Sequence, residues 1–302
     1  MCREVLVSTV AINHLDFFAK FIETRLGIVY APENYFRLET RLNDILLYFK
    51  LGNLEELKRN LESGKALMME QLLLDSATNN ETSFFRDQKV FDAIREFVIS
   101  EVGYSPTGRP LRIWSAASST GQEAYSLAMT LHEKLTTSLT PRANIDILAT
   151  DISQRVLDRV REGIYSQLEV QRGLRSEMLL KYFHQVNASS WEIKSFIKNY
   201  VRTAQVNLCL PFEHVGKFDI ILCRNVLIYQ RAEKKVEIIN RLVERLNPGG
   251  FLMLGAGETL LGLSDKFIQQ NYKNAIIYQL PKLESPAKIA MRAESVALFG
   301  RN

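Results

Sequence analysis

From Leu111 onward the sequence alternates short apolar runs with amphipathic segments, and no other feature narrows the possible folds as far. The runs Leu111 to Ala117, Ile145 to Thr150, Phe218 to Cys223 and Phe251 to Ala256 are rich in Ile and Leu. Strands of that kind suit a parallel sheet covered on both faces. Between the first two runs, Ala124, Leu127, Ala128, Leu131 and Leu135 share one helical face; before the fourth, Val236, Ile239, Val243 and Leu246 do the same, and NPGG supplies the helix stop and the turn that feeds the fourth run. Strands alternating with helices predict a doubly wound α/β sheet.

Ahead of this rhythm the period is three to four. Leu15, Phe18, Ile22 and Leu26, then Leu38, Leu42, Ile45, Leu46 and Phe49, then Leu54, Leu57 and Leu61 predict helices broken at Gly27, Pro32 and Gly52. Ala66 to Leu74 adds a last apolar helix, so residues 1–76 read as a small all-helical domain and 77–282 as the α/β domain. Val90, Phe91, Ile94, Phe97 and Val98 mark another helix, and GYSPTGRP is a turn-rich break before the first strand. Residues 165–206 interrupt the alternation and read as an insertion, a helix followed by one or two short strands. The tail 283–302 is weakly patterned and reads as loosely attached or disordered.

Composition excludes several classes. A balance of 38 basic against 34 acidic residues gives a net charge of only +4, too mild to argue for nucleic acid. No apolar run reaches the roughly 18 residues of a membrane span, and the first residues hold no signal core, so a cytoplasmic protein with no membrane insertion is expected. Cys2, Cys209 and Cys223 have no CxxC spacing and the four histidines form no HxxxH pair, which predicts neither a metal site nor a disulfide framework.

Three motifs carry chemistry. NNETSFFRD sets Asn80, Thr82 and Arg86 around Phe84 and Phe85, so the aromatic pair can bury while the polar groups face a ligand as a lid. SAASSTGQEAYSLA joins the first strand to a helix through small residues that let the backbone approach a ligand. It is not a dinucleotide fingerprint, because Ala116 and Ala117 stand where glycine is wanted and only Gly121 remains, and tight packing alone would also explain it. Asp151, ending the second strand, suits the two hydroxyls of a ribose, or else the cap of the next helix. CRNVLIY brings Arg224 and Asn225 to a strand end, with Tyr229 one turn further, where an ion pair and a plain turn compete with a binding site. Together the loop and Asp151 point to an adenosine-containing ligand without pyrophosphate.

Taken in order, NNETSFFRD, WSAASSTGQEAYSLA, ATDIS, the VNL at Val206, CRNVLIY and NPGGFLMLG resemble the CheR family, S-adenosylmethionine-dependent methyltransferases that esterify glutamate side chains of chemotaxis receptors. The likeness extends from GIVYAPENYFRLETRL in the helical region to AIIYQL. It implies a Rossmann-like methyltransferase sheet of seven strands ending in an antiparallel hairpin, an insertion that forms a small antiparallel β subdomain, and a helical domain that contacts the receptor. The implied cofactor is S-adenosylmethionine, with S-adenosylhomocysteine as product, and the implied partner is the cytoplasmic domain of a methyl-accepting chemotaxis receptor. By the resemblance, Asn80, Thr82 and Arg86 close over the methionine portion, and Ala117 and Glu123 reach the cofactor. Asp151 holds the ribose, Asn207 and Leu208 flank the adenine, and Arg224 with Asn225 lines the pocket floor. Arg86 and Tyr229 orient the reactants rather than acting as acid or base, since a glutamate is already ionised at neutral pH. Arg37 and Arg41 are the implied receptor contacts.

The chain departs from the family pattern in three places. HQVNASSWEIKSF lacks the Gly-x-Gly loop that binds a receptor's terminal pentapeptide, which predicts activity without such tethering. Asn43, Asp44 and Ile45 stand at positions that are often basic, and Gln122 where an acidic residue is common. Three other functions compete: a methyltransferase of another protein or small carboxylate, a signalling module that binds the cofactor without turnover, and, disfavoured by the missing glycines, a nicotinamide-dependent oxidoreductase.

Overall fold

The computed structural model describes residues 2–102, 109–137 and 145–282. Residues 103–108 of the turn-rich break and the tail 283–302 lie outside them. The chain opens with four helices, α1 (Cys2–Leu26), α2 (Tyr35–Phe49), α3 (Leu54–Glu62) and α4 (Leu67–Ala77). Their apolar faces meet in one core around Phe18, Ile22, Leu38, Leu42, Leu57 and Leu73. Asn53 caps α3 by accepting the Glu56 amide, and Lys50 ends α2 in a left-handed conformation. Helix α5 (Gln88–Ala93) then runs through a wide turn at Ile94–Val98 into α6 (Ile99–Val102).

The α/β domain follows the predicted alternation. In chain order it comprises β1 (Leu111–Ala116), α7 (Gln122–Thr137), β2 (Ile145–Asp151) and α8 (Gln154–Glu162). A small subdomain follows, with β3 (Ile164–Ser166), α9 (Gln167–Gln171), α10 (Ser176–Tyr182), β4 (Phe183–Asn187), β5 (Ser190–Ile193) and α11 (Ser195–Lys198). The chain then returns through β6 (Val201–Gln205), β7 (Phe218–Cys223), α12 (Ala232–Arg245), β8 (Leu246–Leu254), β9 (Ile268–Tyr272) and β10 (Ala275–Gln279). Seven strands form the main sheet in the order β6-β2-β1-β7-β8-β10-β9, with β3, β5 and β4 in a separate antiparallel sheet. The first five are parallel, and β10 runs antiparallel to both β8 and β9. This is the fold implied by the resemblance.

Side-chain alternation sends the sheet's two faces into two cores. Ile113, Ile147, Ile220 and Phe251 pack with Ala124, Leu127 and Ala128 of α7. Trp114, Leu148, Ile221 and Leu252 pack with Ile238, Ile239 and Leu242 of α12. Trp114 is wholly buried, and its indole N–H is satisfied by Thr150 Oγ1 at 2.8 Å.

Two expectations need correction. The stretch 165–206 is not all insertion, because β6 pairs with β2 from Ile147↔Val201 to Asp151↔Gln205 as the edge of the main sheet. VRTAQ lacks a continuous apolar run because an edge strand is only partly covered, so the period that revealed the central strands is absent there. The NPGG segment is likewise not a turn ahead of a strand, since β8 already begins at Leu246 and its register against β7 shifts between Phe218 and Ile220. Gly250 is required at that irregularity, as a Cβ there would lie 2.8 Å from Asn247 O and 3.0 Å from Asp219 O.

Candidate active site

The chain builds outward from β1 through β2 to β6, then returns to the other side of β1 with β7. Such a reversal opens a crevice beyond the carboxyl ends of the strands. The crevice here is a cleft of about 1010 Å³, counting its part open to solvent. Asn80, Thr82, Arg86, Ala117, Glu123, Asp151, Asn207, Leu208, Arg224, Asn225 and Tyr229 all line it. Arg37 and Arg41 do not. Arg37 is exposed on α2, whereas Arg41 donates to Ala77 O at 2.8 Å and to the Tyr30 hydroxyl, which ties α2 to the end of α4.

The loop after β1 reaches its shape without the expected glycines. Ala117 (φ 60°) and Ser119 (φ 51°) are both left-handed, a conformation that costs non-glycine residues of order 1 kcal/mol each. The surroundings hold them there: the Ser118 amide donates to Thr150 O at 2.7 Å and the Ser119 amide to Asp151 Oδ2 at 2.9 Å. Asp151 also accepts the Ser153 amide at 3.1 Å, so it joins two loops rather than capping α8, whose N-cap is Ser153. Burial lifts its carboxyl above the ordinary aspartate range, against the Ser153, Ser119 and Ile152 amides, and the nearby charge of Asp75 adds to the rise.

The NNETSFFRD segment closes one side of the cleft as expected. Phe84 and Phe85 are 1% and 8% exposed, and Phe84 meets Tyr165 and Phe183 of the small subdomain edge-on at 5.0 and 5.5 Å. Burying each phenyl ring is worth about 1.5–3 kcal/mol, which anchors the polar side chains on either side of the pair. The Phe85 amide donates to Ser126 Oγ and Ser119 Oγ donates to Asn80 O, both at 2.9 Å. At the segment's end Arg224 Nη2 donates to Arg86 O at 3.0 Å and to Asp87, while Nη1 pairs with Glu123 at 3.0 Å. Arg224 therefore fastens the lid to α7 from beneath. On the far side, Asn207 uses its side chain on the Arg25 carbonyl and the Cys209 amide, which fixes the turn that presents Leu208.

The sequence reading missed one wall altogether. Leu26 and Ile28, at the end of α1 and just past it, line the cleft, and Gly27 is pressed so closely that a Cβ would lie 2.0 Å from Gln230 Oε1. Gln230 and Cys209 donate to Leu26 O, and the Val29 amide donates to Tyr229 O at 3.0 Å. Gly27 was legible only as a helix stop, because nothing local shows that this helix end packs against residues some two hundred positions away.

The lining suits S-adenosylmethionine. Ser118 Oγ and Arg224 Nε are buried beside the cleft without protein partners, the condition of polar groups awaiting a ligand. Ile152, Val206, Leu208 and Ile238 offer an apolar slot for a base, Asp151 offers acceptors to a ribose, and Glu123, Arg86 and Arg224 offer charges of both signs to an amino-acid zwitterion. A doubly wound sheet with this cleft fits an S-adenosylmethionine-dependent methyltransferase. Residues 80–276 match the family described as CheR methyltransferase, SAM binding domain. Over 263 residues the chain is 38% identical to the chemotaxis protein methyltransferase of Vibrio parahaemolyticus, covering 87% of this chain and 95% of that one. It is 33% identical over 277 residues to the chemotaxis protein methyltransferase of Escherichia coli, covering 89% and 91%. The chain belongs to the CheR methyltransferase family. Among the described residues no helix is long and apolar enough to cross a membrane, and no group of acidic, His or Cys side chains could hold a metal ion.

Proposed function

We propose that the chain transfers methyl groups to glutamate side-chain carboxylates on the cytoplasmic domain of a chemotaxis receptor. The supporting observation is that every carboxylate lining the cleft is already engaged. Glu81 pairs with Arg172 at 2.6 Å, Glu123 accepts from Ser115 and Arg224, and Asp151 accepts two amides. A site without a free base suits a nucleophile that needs no deprotonation, and a glutamate carboxylate, with an ordinary pKa of about 4.3, is one.

When bound, S-adenosylmethionine supplies a methyl group on a sulfonium leaving group. The protein's own task is then orientation and exclusion of water, which can supply roughly 7–11 kcal/mol at the extreme. Arg86 offers a cation to the incoming carboxylate and Tyr229 a hydroxyl whose lone pair already accepts Asn79 Nδ2 at 2.9 Å, leaving its proton for the substrate. Arg37, exposed on α2, is the receptor contact best placed to meet acidic helices. The β4–β5 connection has only Ala188 and Ser189 between its strands and no glycine, which favours activity independent of a receptor tail.

Label from methyl-labelled S-adenosylmethionine should enter receptor-containing membranes and be released by mild base, in equal amount for tailed and tailless receptors. Base-stable label would replace the ester reading with another acceptor, and tail-dependent labelling would restore tethering. Arg86→Ala should abolish transfer; normal transfer by that variant would show that the reactive end has been misassigned.

A further inference from the structure

The turn that presents Tyr229 is held by a side chain lying outside the cleft. In the loop after β8, Glu258 Oε2 accepts the amides of Gly255 and Asn225, both at 2.7 Å. Its Oε1 accepts those of Val226 at 3.1 Å, Leu227 at 2.8 Å and Ile228 at 3.2 Å. Four successive amides thus converge on one carboxylate, immediately before Tyr229. Asn225 is left-handed (φ 58°) and the short helical turn Leu227–Tyr229 follows it, a backbone that holds only where surrounding contacts over-determine it. Gly255 admits the arrangement, since a Cβ there would lie 2.6 Å from Asn225 Nδ2, 2.7 Å from Glu258 Oε2 and 2.9 Å from the Asn225 amide.

We infer that Glu258 is a positioning residue for methyl transfer: its carboxylate gathers the 225–228 amides and thereby sets where the Tyr229 hydroxyl stands. The inference rests on the orienting role given to Tyr229 above. A glutamine in its place would turn an N–H₂ donor toward amide donors, so part of the turn must move. Displacement of a reacting group by about 1 Å can reduce a rate roughly 100-fold.

The test compares Glu258→Gln, Tyr229→Phe and the double variant in the full chain. The readouts are kcat and KM for a receptor cytoplasmic fragment, the dissociation constant for S-adenosylhomocysteine, and the melting temperature. Glu258→Gln is expected to lose kcat roughly 100-fold, with product affinity within about threefold of the parent, and to lose little more when Tyr229 is already Phe. Fully additive losses, or a melting-temperature drop with normal kcat, would reduce Glu258 to a structural residue. Slow transfer by Tyr229→Phe beside normal transfer by Glu258→Gln would overturn this inference alone. Normal transfer by Tyr229→Phe would overturn the orienting role as well. If Glu258→Gln does not fold, Gly255→Ala disturbs the same carboxylate from the other side, and an unchanged kcat there would overturn the proposal.

Discussion

The two ends of the main sheet treat the same residue type in opposite ways. At the amino end, Asp219 accepts two hydrogen bonds from the Arg109 guanidinium at 2.8 and 2.9 Å, and further ones from the Arg112 amide and Asn247. Nearby, Asp146 bridges Arg112 and Arg202. Burial alone would lift both carboxyls, but these partners overcome it and hold each below the ordinary aspartate value. At the carboxyl end Asp151 has amides and no cation, and burial wins. Left-handed Ala117, Ser119 and Asn225 and the unpartnered Ser118 Oγ also gather there. One end is satisfied and holds the fold, while the other, which borders the cleft, is left strained and unsatisfied.

The largest effect expected from this contrast is on stability. Asp219→Ala leaves the Arg109 charge and the Asn247 amide without their acceptor, and breaking a buried pair costs about 3–5 kcal/mol. Because Arg109 is half exposed, water recovers part of its charge and the low end applies. The melting temperature should fall by roughly 6–12 °C while the folded protein keeps its affinity for S-adenosylhomocysteine. Weaker product binding without thermal loss would mean that the two ends are not separate in role.

Asp151→Asn should show the reverse pattern. Losing charge-assisted hydrogen bonds to the ribose costs about 2–3 kcal/mol, roughly 100-fold in affinity for S-adenosylhomocysteine, while the melting temperature falls less than in Asp219→Ala, because relief of a buried charge offsets the clash of the new N–H₂ with the Ser119 or Ser153 amide. The pH dependences also oppose one another. A depressed carboxyl, as at Asp219, contributes stability above its unfolded-state pKa that is lost as pH falls through its folded value. A raised carboxyl, as at Asp151, takes up a proton in the folded state first, so falling pH relieves the fold there while it removes the acceptor. Calorimetric titration should therefore show product affinity declining at a higher pH than the one at which the protein unfolds. Coincident transitions would break the comparison.

How far the sequence could be read follows the same physics. The central strands were legible because burial on both faces forces continuous apolar runs, and Asp151, Arg224 and Asn225 because polar groups ending such runs stand out. Edge strand β6 was not, since partial exposure removes the signal. Leu26 and Ile28 were hidden because their role depends on contacts some two hundred positions along the chain. Glu258 reads locally as a solvated loop carboxylate, and only the fold brings five amides to it. Arg41, expected as a docking contact, also donates to the fold's own backbone at Ala77, a use that no local pattern reveals.

The smallest effect sharpens the contrast inside the strained end itself. Asn79 immediately precedes the lid residues and donates to the Tyr229 hydroxyl, yet it is exposed and belongs to no core. If the cleft's polar groups serve alignment rather than stability, Asn79→Ala should lower kcat by the worth of one hydrogen bond, about 1 kcal/mol or roughly fivefold. A surface truncation of this kind should move stability by no more than about 0.5 kcal/mol. The hydroxyl would keep its proton donor but lose the contact that fixes its rotation, so its substrate contact would form in only a fraction of encounters. In a Tyr229→Phe background the same truncation should therefore have almost no effect, because the group it orients is gone. An undiminished effect in that background would mean that Asn79 acts on the ligand directly, and the Tyr229 hydroxyl would then stand free to rotate at the end of the turn that Glu258 holds.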